Sequence, residues 1–83
     1  MTDNSKKAVL NRISRAMGHM EFVKRMIEEG RDPSDILVQL SAVKSAIHST
    51  GLYMIEEEID ELTQDGNPEK LKSLLNAMER YCK

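Results

Sequence analysis

The sequence predicts an all-α protein with three helices, and three observations lead to that prediction. Apolar residues recur at steps of three and four along most of the 83 residues, which is the period of one helix face. Two segments, Asp32-Pro33 and Asn67-Pro68, combine a capping side chain with a proline, a combination typical of helix starts. Charged residues make up 31% of the chain and aromatic residues only 4%, which favours amphipathic helices over sheets.

The first helix is expected from about Ser5 to Glu29. Asn4 and Ser5 are candidate caps at its start, and Gly30 supplies a left-handed residue to end it. Its apolar stripe consists of Val9, Leu10, Ile13, Ala16, Met17, Met20, Val23, Met26 and Ile27.

The second helix is expected from the Asp32-Pro33 cap to Gln64, about 32 residues or roughly 48 Å. Gly51 is the only weak point in its interior. The segment 65–68 repeats the stop-and-start pattern, and a short third helix follows. The apolar stripe of this third helix consists of Leu71, Leu74, Leu75, Met78, Tyr81 and Cys82.

Three helices of such unequal length cannot cover one another, because one neighbour shields only one side of a 48 Å rod. Two helix 1–helix 2 hairpins are therefore expected to pack as an antiparallel four-helix-bundle dimer, which assembles into a tetramer, a dimer of dimers. Residues 1–83 are expected to form a single helical domain.

Catalysis finds no support in the sequence. The chain has no glycine-rich phosphate loop, and His48 and Ser49 are adjacent, so their side chains point about 100° apart on a helix. No cofactor motif occurs. The single cysteine, Cys82, excludes an internal disulfide and favours a reducing compartment, so a cytoplasmic protein with no signal peptide and no membrane partner is expected.

No metal site is predicted either. His19 and His48 lie on different helices, and neither has a convincing ligand three or four residues away. The acidic run Glu56-Glu57-Glu58 with Asp60 and Glu61 is expected to be a solvated helix face.

Charge is distributed unevenly along the chain. Residues 1–31 carry a net charge of +3 and residues 32–83 a net charge of −5, although the whole chain is only −2. In a bundle with several copies of helix 1, the basic positions would add up to a surface stripe.

Two segments carry a resemblance to a known family: Leu10-Asn11-Arg12-Ile13-Ser14-Arg15-Ala16-Met17-Gly18-His19 and Gln39-Leu40-Ser41-Ala42-Val43-Lys44-Ser45-Ala46-Ile47. They resemble the signature segments of the CsoR/RcnR family of bacterial transcriptional repressors, and the likeness extends from about residue 6 to residue 81. The resemblance implies all-helical tetramers that bind operator DNA without a helix-turn-helix and are released by an inducer. It implies a DNA-contacting face that includes Lys6, Lys7, Arg12 and Arg15, with Lys44 and His48 alongside.

The sequence departs from the family at the sensing positions, where the resemblance places Pro33, Glu58 and Leu62 instead of cysteine and histidine. Copper, nickel and cobalt sensing would lack their ligands, persulfide sensing its two thiols, and formaldehyde sensing its cysteine. We therefore expect a repressor that either answers to an unidentified small-molecule effector or represses constitutively.

Two other functions are compatible with a helical oligomer. One is a protein–protein interaction module without DNA binding, which would have no evident need for the basic cluster Lys6, Lys7, Arg12 and Arg15. The other is a metal-binding carboxylate bundle, which would need Glu and His at matching i, i+3 spacings on facing helices, and that pattern is absent.

Overall fold

The computed structural model describes residues 1–83 as three helices: α1 (Asp3–Glu28), α2 (Pro33–Asp65) and α3 (Pro68–Tyr81). Helices α1 and α2 form a hairpin, and α3 packs against α2 alone. The protomer measures 52 × 27 × 13 Å, so it is a slab about as thick as one helix layer. The predicted all-α class is confirmed.

The start of α1 differs from the expected cap. Thr2 is the capping residue, and its hydroxyl accepts a hydrogen bond from the backbone N–H of Ser5. Ser5 itself lies inside the helix, where its hydroxyl is buried and donates to Glu57 on α2 at 2.7 Å. The prediction of Asn4 or Ser5 as the cap was wrong because the sequence did not reveal that Ser5 has a partner on another helix.

The remaining helix ends follow the predicted signals. Gly30 adopts a φ of 70°, and the N–H of Arg31 reaches the carbonyl of Met26, which is a Schellman closure of α1. The side chains of Asp32 and Asn67 cap α2 and α3, each with proline at the first helical position. Gly66, at a φ of 66°, ends α2.

The protomer buries little of its apolar surface. Only 8 of 83 residues are buried, and six of them are apolar: Val9, Ala16, Val23, Met26, Val43 and Leu62. Many more large apolar side chains remain exposed on all three helices, among them Leu10, Ile13, Met17, Met20, Ile27, Leu37, Val38, Leu40, Ile47, Leu52, Ile59, Leu71 and Leu75. So much exposed apolar surface is unusual for a stable monomer and favours self-association. The arrangement of protomers in the expected dimer and tetramer stays a prediction.

The contact between Tyr81 and Gly51 holds the end of α3 against the middle of α2. The Tyr81 hydroxyl lies 2.9 Å from the carbonyl oxygen of Ile47 and 2.8 Å from that of His48, and it donates to this pair. A Cβ added at Gly51 would overlap the Tyr81 ring. A glycine inside a helix costs about 1 kcal/mol relative to alanine. Its presence here is explained by the space that the tyrosine ring requires.

This contact predicts that the effect of Gly51→Ala on stability depends on whether Tyr81 is present. In the wild-type background, Gly51→Ala is expected to displace Tyr81, so that the gain of about 1 kcal/mol in helix propensity is offset by the lost docking. In a Tyr81→Ala background the same change should stabilise the protein by about 1 kcal/mol. Urea denaturation of the four proteins measures this coupling. Equal changes in the free energy of unfolding on Gly51→Ala in both backgrounds would show that residues 51 and 81 do not contact each other.

Candidate nucleic-acid interface

Arg12, Arg15 and His19 project from one face of α1, because steps of three and four residues return to the same side of a helix. They line one side of a cleft of about 280 Å³ between α1 and α2. Ser49 and Thr50 lie on its α2 side. The remaining lining residues, Ala16 and Ala46, are small, and their size leaves the space open. No carboxylate lines the cleft, so its charge is entirely positive.

Residues of α2 hold two of these side chains in place. The Arg12 guanidinium carbon lies 4.8 Å from the centroid of the Tyr53 ring, a cation–π contact. The His19 Nε2 atom is hydrogen-bonded to the Gln39 side-chain oxygen at 2.8 Å. The side chains of the cleft are thus partly ordered before any ligand arrives. Arg15 has no such support and is exposed.

Lys44 and His48 lie on another face of α2. Lys44 is two residues before Ala46 and five before Ser49, which places it roughly 140–160° around the helix from these two cleft residues. The His48 ring instead stacks on Tyr81 of α3, with ring centroids 5.3 Å apart and planes at 4°. Within one protomer, the structure does not bring these two residues to Arg12 and Arg15.

Lys6 and Lys7 are also separate from the cleft. Both are exposed in the first turns of α1, five and six residues before Arg12. At 100° per residue they point roughly 120–140° away from Arg12 around the helix axis. Of the six predicted DNA-contacting residues, one protomer therefore assembles only Arg12 and Arg15 into a single site.

Sequence reasoning missed four polar residues that line or support this site: His19, Ser49, Gln39 and Tyr53. The i, i+3, i+7 spacing of Arg12, Arg15 and His19 was a signal for the first of them. No comparable signal existed for Gln39 and Tyr53, because their roles depend on how α2 is aligned against α1.

Comparison with known families and structures gives this site its context. The profile of the family described as metal-sensitive transcriptional repressors matches residues 5–80. The chain belongs to this family. Its predicted assignment to the CsoR/RcnR repressors is thereby confirmed, and the alternative of a protein-interaction module is not favoured.

Individual relatives are consistent with that assignment. The copper-sensing transcriptional repressor CsoR of Bacillus subtilis is 26% identical over 87 residues, which span 99% of this chain and 86% of that protein. The CsoR of Mycobacterium ulcerans is 35% identical over 60 residues, but the match spans only 50% of its length. Both relatives are copper-sensing transcriptional repressors.

Solved structures show the same fold. The copper-sensing repressor CsoR of Geobacillus thermodenitrificans, determined with Cu(I), superposes with a TM-score of 0.85 at 26% identity, covering 100% of this chain and 92% of that one. The nickel-responsive regulator InrS superposes with a TM-score of 0.77 at 30% identity, covering 90% of each chain.

The three positions where the resemblance places the metal ligands of this repressor family do not form a donor set in this member. Pro33 is the first residue of α2 and has no donor atom in its side chain. Of the three positions, only Glu58 has a side chain with donor atoms. Leu62, one turn beyond Glu58, is buried as part of the apolar core. The structure contains no group of three or more His, Cys, Asp or Glu side chains arranged to hold a metal ion. The residues present do not fit a copper or nickel site at these positions.

In this repressor, the Glu58 carboxylate is instead engaged by the start of the chain. The Met1 ammonium lies 2.8 Å from the Glu58 Oε1 atom and 2.7 Å from the Glu61 Oε2 atom. The hydrogen bond to Glu58 raises the pKa of this ammonium, and the hydrogen bond from the ammonium lowers the pKa of Glu61. Each charged form is favoured near neutral pH, and the contribution of Glu61 to stability is lost as the pH falls through its lowered pKa. Because the groups are solvent-exposed, that contribution is small.

No helix of this family member is long and apolar enough to span a membrane.

Proposed function

We propose that the protein is a DNA-binding transcriptional repressor that acts as a cytoplasmic oligomer, with residues 1–83 working as one unit. The observation that carries this proposal is the all-positive cleft between α1 and α2, in a chain whose family consists of transcriptional repressors. Arg12 and Arg15 take part in neither of the two ion pairs of the protomer, both of which involve Met1. Their guanidinium groups are therefore free to bind phosphate oxygens, for which arginine is well suited.

The separation of the basic residues supports an oligomeric interface with DNA. Lys6, Lys7, Lys44 and His48 point away from the cleft, so one protomer cannot present all six residues to a straight duplex. A tetramer carries four copies of the cleft and of the basic residues outside it. A DNA duplex that crosses several protomers would contact these copies one after another. The exposed apolar side chains of all three helices provide the surface for this association.

The helices of the hairpin are not shaped for reading bases in the way of a recognition helix. Arg12 and Arg15 project from the side of a 26-residue helix that lies flat in the slab. We therefore expect most contacts to reach phosphates, with sequence preference arising largely from groove width and the deformability of the operator.

A reporter assay tests repression. The DNA upstream of the protein's own gene is fused to a reporter in a bacterial host, with and without the protein, alongside an unrelated promoter of equal strength. We expect lower expression from the upstream fusion alone. Equal expression from that fusion with and without the protein would contradict the proposed function.

The effector is proposed to be something other than the metals sensed by similar proteins. Because Pro33 and Leu62 have no donor atoms, Cu(I), Ni(II) and Co(II) are expected to bind no better than micromolar and to leave a preformed DNA complex intact. Fluorescence anisotropy of labelled DNA, measured with each metal and then with a strong chelator, checks this expectation. A stoichiometric metal complex that resists the chelator and releases DNA would overturn it and redirect attention to His19, His48 and Cys82.

A further inference from the structure

We infer that the cleft between α1 and α2 is a discrete binding site for the oxyanion of a phosphate group, held by Arg12, Arg15 and Ser49. This goes beyond a general basic surface, because it assigns a bounded site that a free small oxyanion would occupy even without DNA. The inference rests on the proposed function only where the phosphate is supplied by the DNA backbone.

The cleft has room for a compact ligand. Its volume of about 280 Å³ exceeds that of a few water molecules, at about 30 Å³ each. Ala16 on α1 and Ala46 on α2 face it from opposite sides, and a larger side chain at either position would fill the space. The cleft therefore exists because small residues occupy both sides of the hairpin at this level.

The polar groups around the cleft are those that an oxyanion needs. Two guanidinium groups supply forked N–H donors, and the Ser49 hydroxyl supplies a further donor from the other helix. The Thr50 hydroxyl already donates to the carbonyl of Ala46 at 2.8 Å, so Ser49 is the free hydroxyl of the pair. No carboxylate is among the lining residues, so no lining side chain competes with an oxyanion for these donors.

The Arg12 side chain is held in position before any ligand binds. The Tyr53 ring supports one face of the Arg12 guanidinium and leaves the N–H edges available. A side chain already held in its binding position loses less conformational entropy on binding. Tyr53 is therefore a positioning residue for this site.

The first measurement uses the whole protein without DNA. Inorganic phosphate is titrated into isotopically labelled protein at constant pH and ionic strength, with chloride as the balancing anion, and amide chemical shifts are followed by NMR. We expect saturable shifts centred on Arg15 and Ser49. Arg15→Gln is expected to weaken phosphate binding at least roughly tenfold, since it removes charge-assisted hydrogen bonds. Lys24→Gln, which removes the same charge from another part of α1, should leave the affinity unchanged.

Two conservative variants separate a specific site from simple charge attraction. Arg15→Lys keeps the charge but loses the planar fork, so it should bind phosphate more weakly than wild type. Tyr53→Phe keeps the aromatic face and should retain binding, whereas Tyr53→Leu should weaken it roughly two- to fivefold. Shifts that do not saturate, or that are the same in Arg15→Gln as in wild type, would overturn the inference.

The second measurement identifies the source of the phosphate. Phosphate is added to a preformed complex with DNA, again at constant ionic strength, and anisotropy is recorded. If phosphate releases more DNA than chloride does at the same ionic strength, the cleft binds a phosphate of the DNA backbone. If the complex stays intact while phosphate is bound to the protein, the cleft binds a free oxyanion. If DNA binds but phosphate alone does not, the inference is wrong and the proposed function stands. If phosphate binds but DNA does not, the inference stands and the proposed function is wrong.

Discussion

Replacing Val43 by aspartate is expected to destabilise the protein strongly. Val43 is only 3% exposed and lies on α2 within the small core of the hairpin. An unpaired carboxylate there costs about 3–5 kcal/mol, a large share of the 5–15 kcal/mol that typically stabilises a native protein. Circular dichroism with urea denaturation measures the loss. A Val43→Asp protein with the helical signal and urea midpoint of wild type would contradict the packing of the hairpin.

Leu40→Asp is the matched comparison, because it places the same charge about one turn away on the same helix. Leu40 is 38% exposed in the protomer, so its burial depends on association with other copies. This variant is expected to lower the mass measured by light scattering at micromolar concentration and to make the melting temperature depend strongly on concentration. An unchanged mass would show that Leu40 lies outside the interface between protomers.

The double variant Arg12→Ala, Arg15→Ala is expected to lose most of its affinity for DNA. Each charge-assisted hydrogen bond contributes about 1.5–3 kcal/mol, so the loss should exceed roughly a hundredfold. The slope of log affinity against log salt should also become less steep, by about 0.9 for every phosphate contact removed.

A control variant must remove the same charge elsewhere. Lys24→Ala, Lys72→Ala does so at two exposed positions on α1 and α3 that do not line the cleft. It should keep its oligomeric mass and lose far less affinity than the arginine variant. Similar losses in the two double variants would indicate that net charge alone, and not the cleft, governs binding.

The helices and their ends were predictable because the determining interactions are local. The Asp32-Pro33 and Asn67-Pro68 starts, and the glycine at residue 30, act through atoms within a few residues along the chain. The cap at Ser5 was mispredicted for the opposite reason, since its hydroxyl is bound by Glu57 on another helix.

The candidate site was predictable only in part. Arg12 and Arg15 share a face through their spacing alone, but the roles of Tyr53 and Gln39 depend on the alignment of α2 against α1, which no local pattern encodes. Gly51 is likewise only a weak point of the helix in the sequence. Its role depends on the Tyr81 ring of α3, which occupies the space that a Cβ at residue 51 would need.

Recognition of an operator is tested by an equilibrium titration of the DNA upstream of the protein's own gene. Wild-type protein is titrated at physiological salt into that duplex and into a shuffled duplex of equal length and composition. We expect roughly a thousandfold or greater preference for the upstream duplex, within the usual range for specific DNA-binding proteins. Equal affinity for the two duplexes would contradict it.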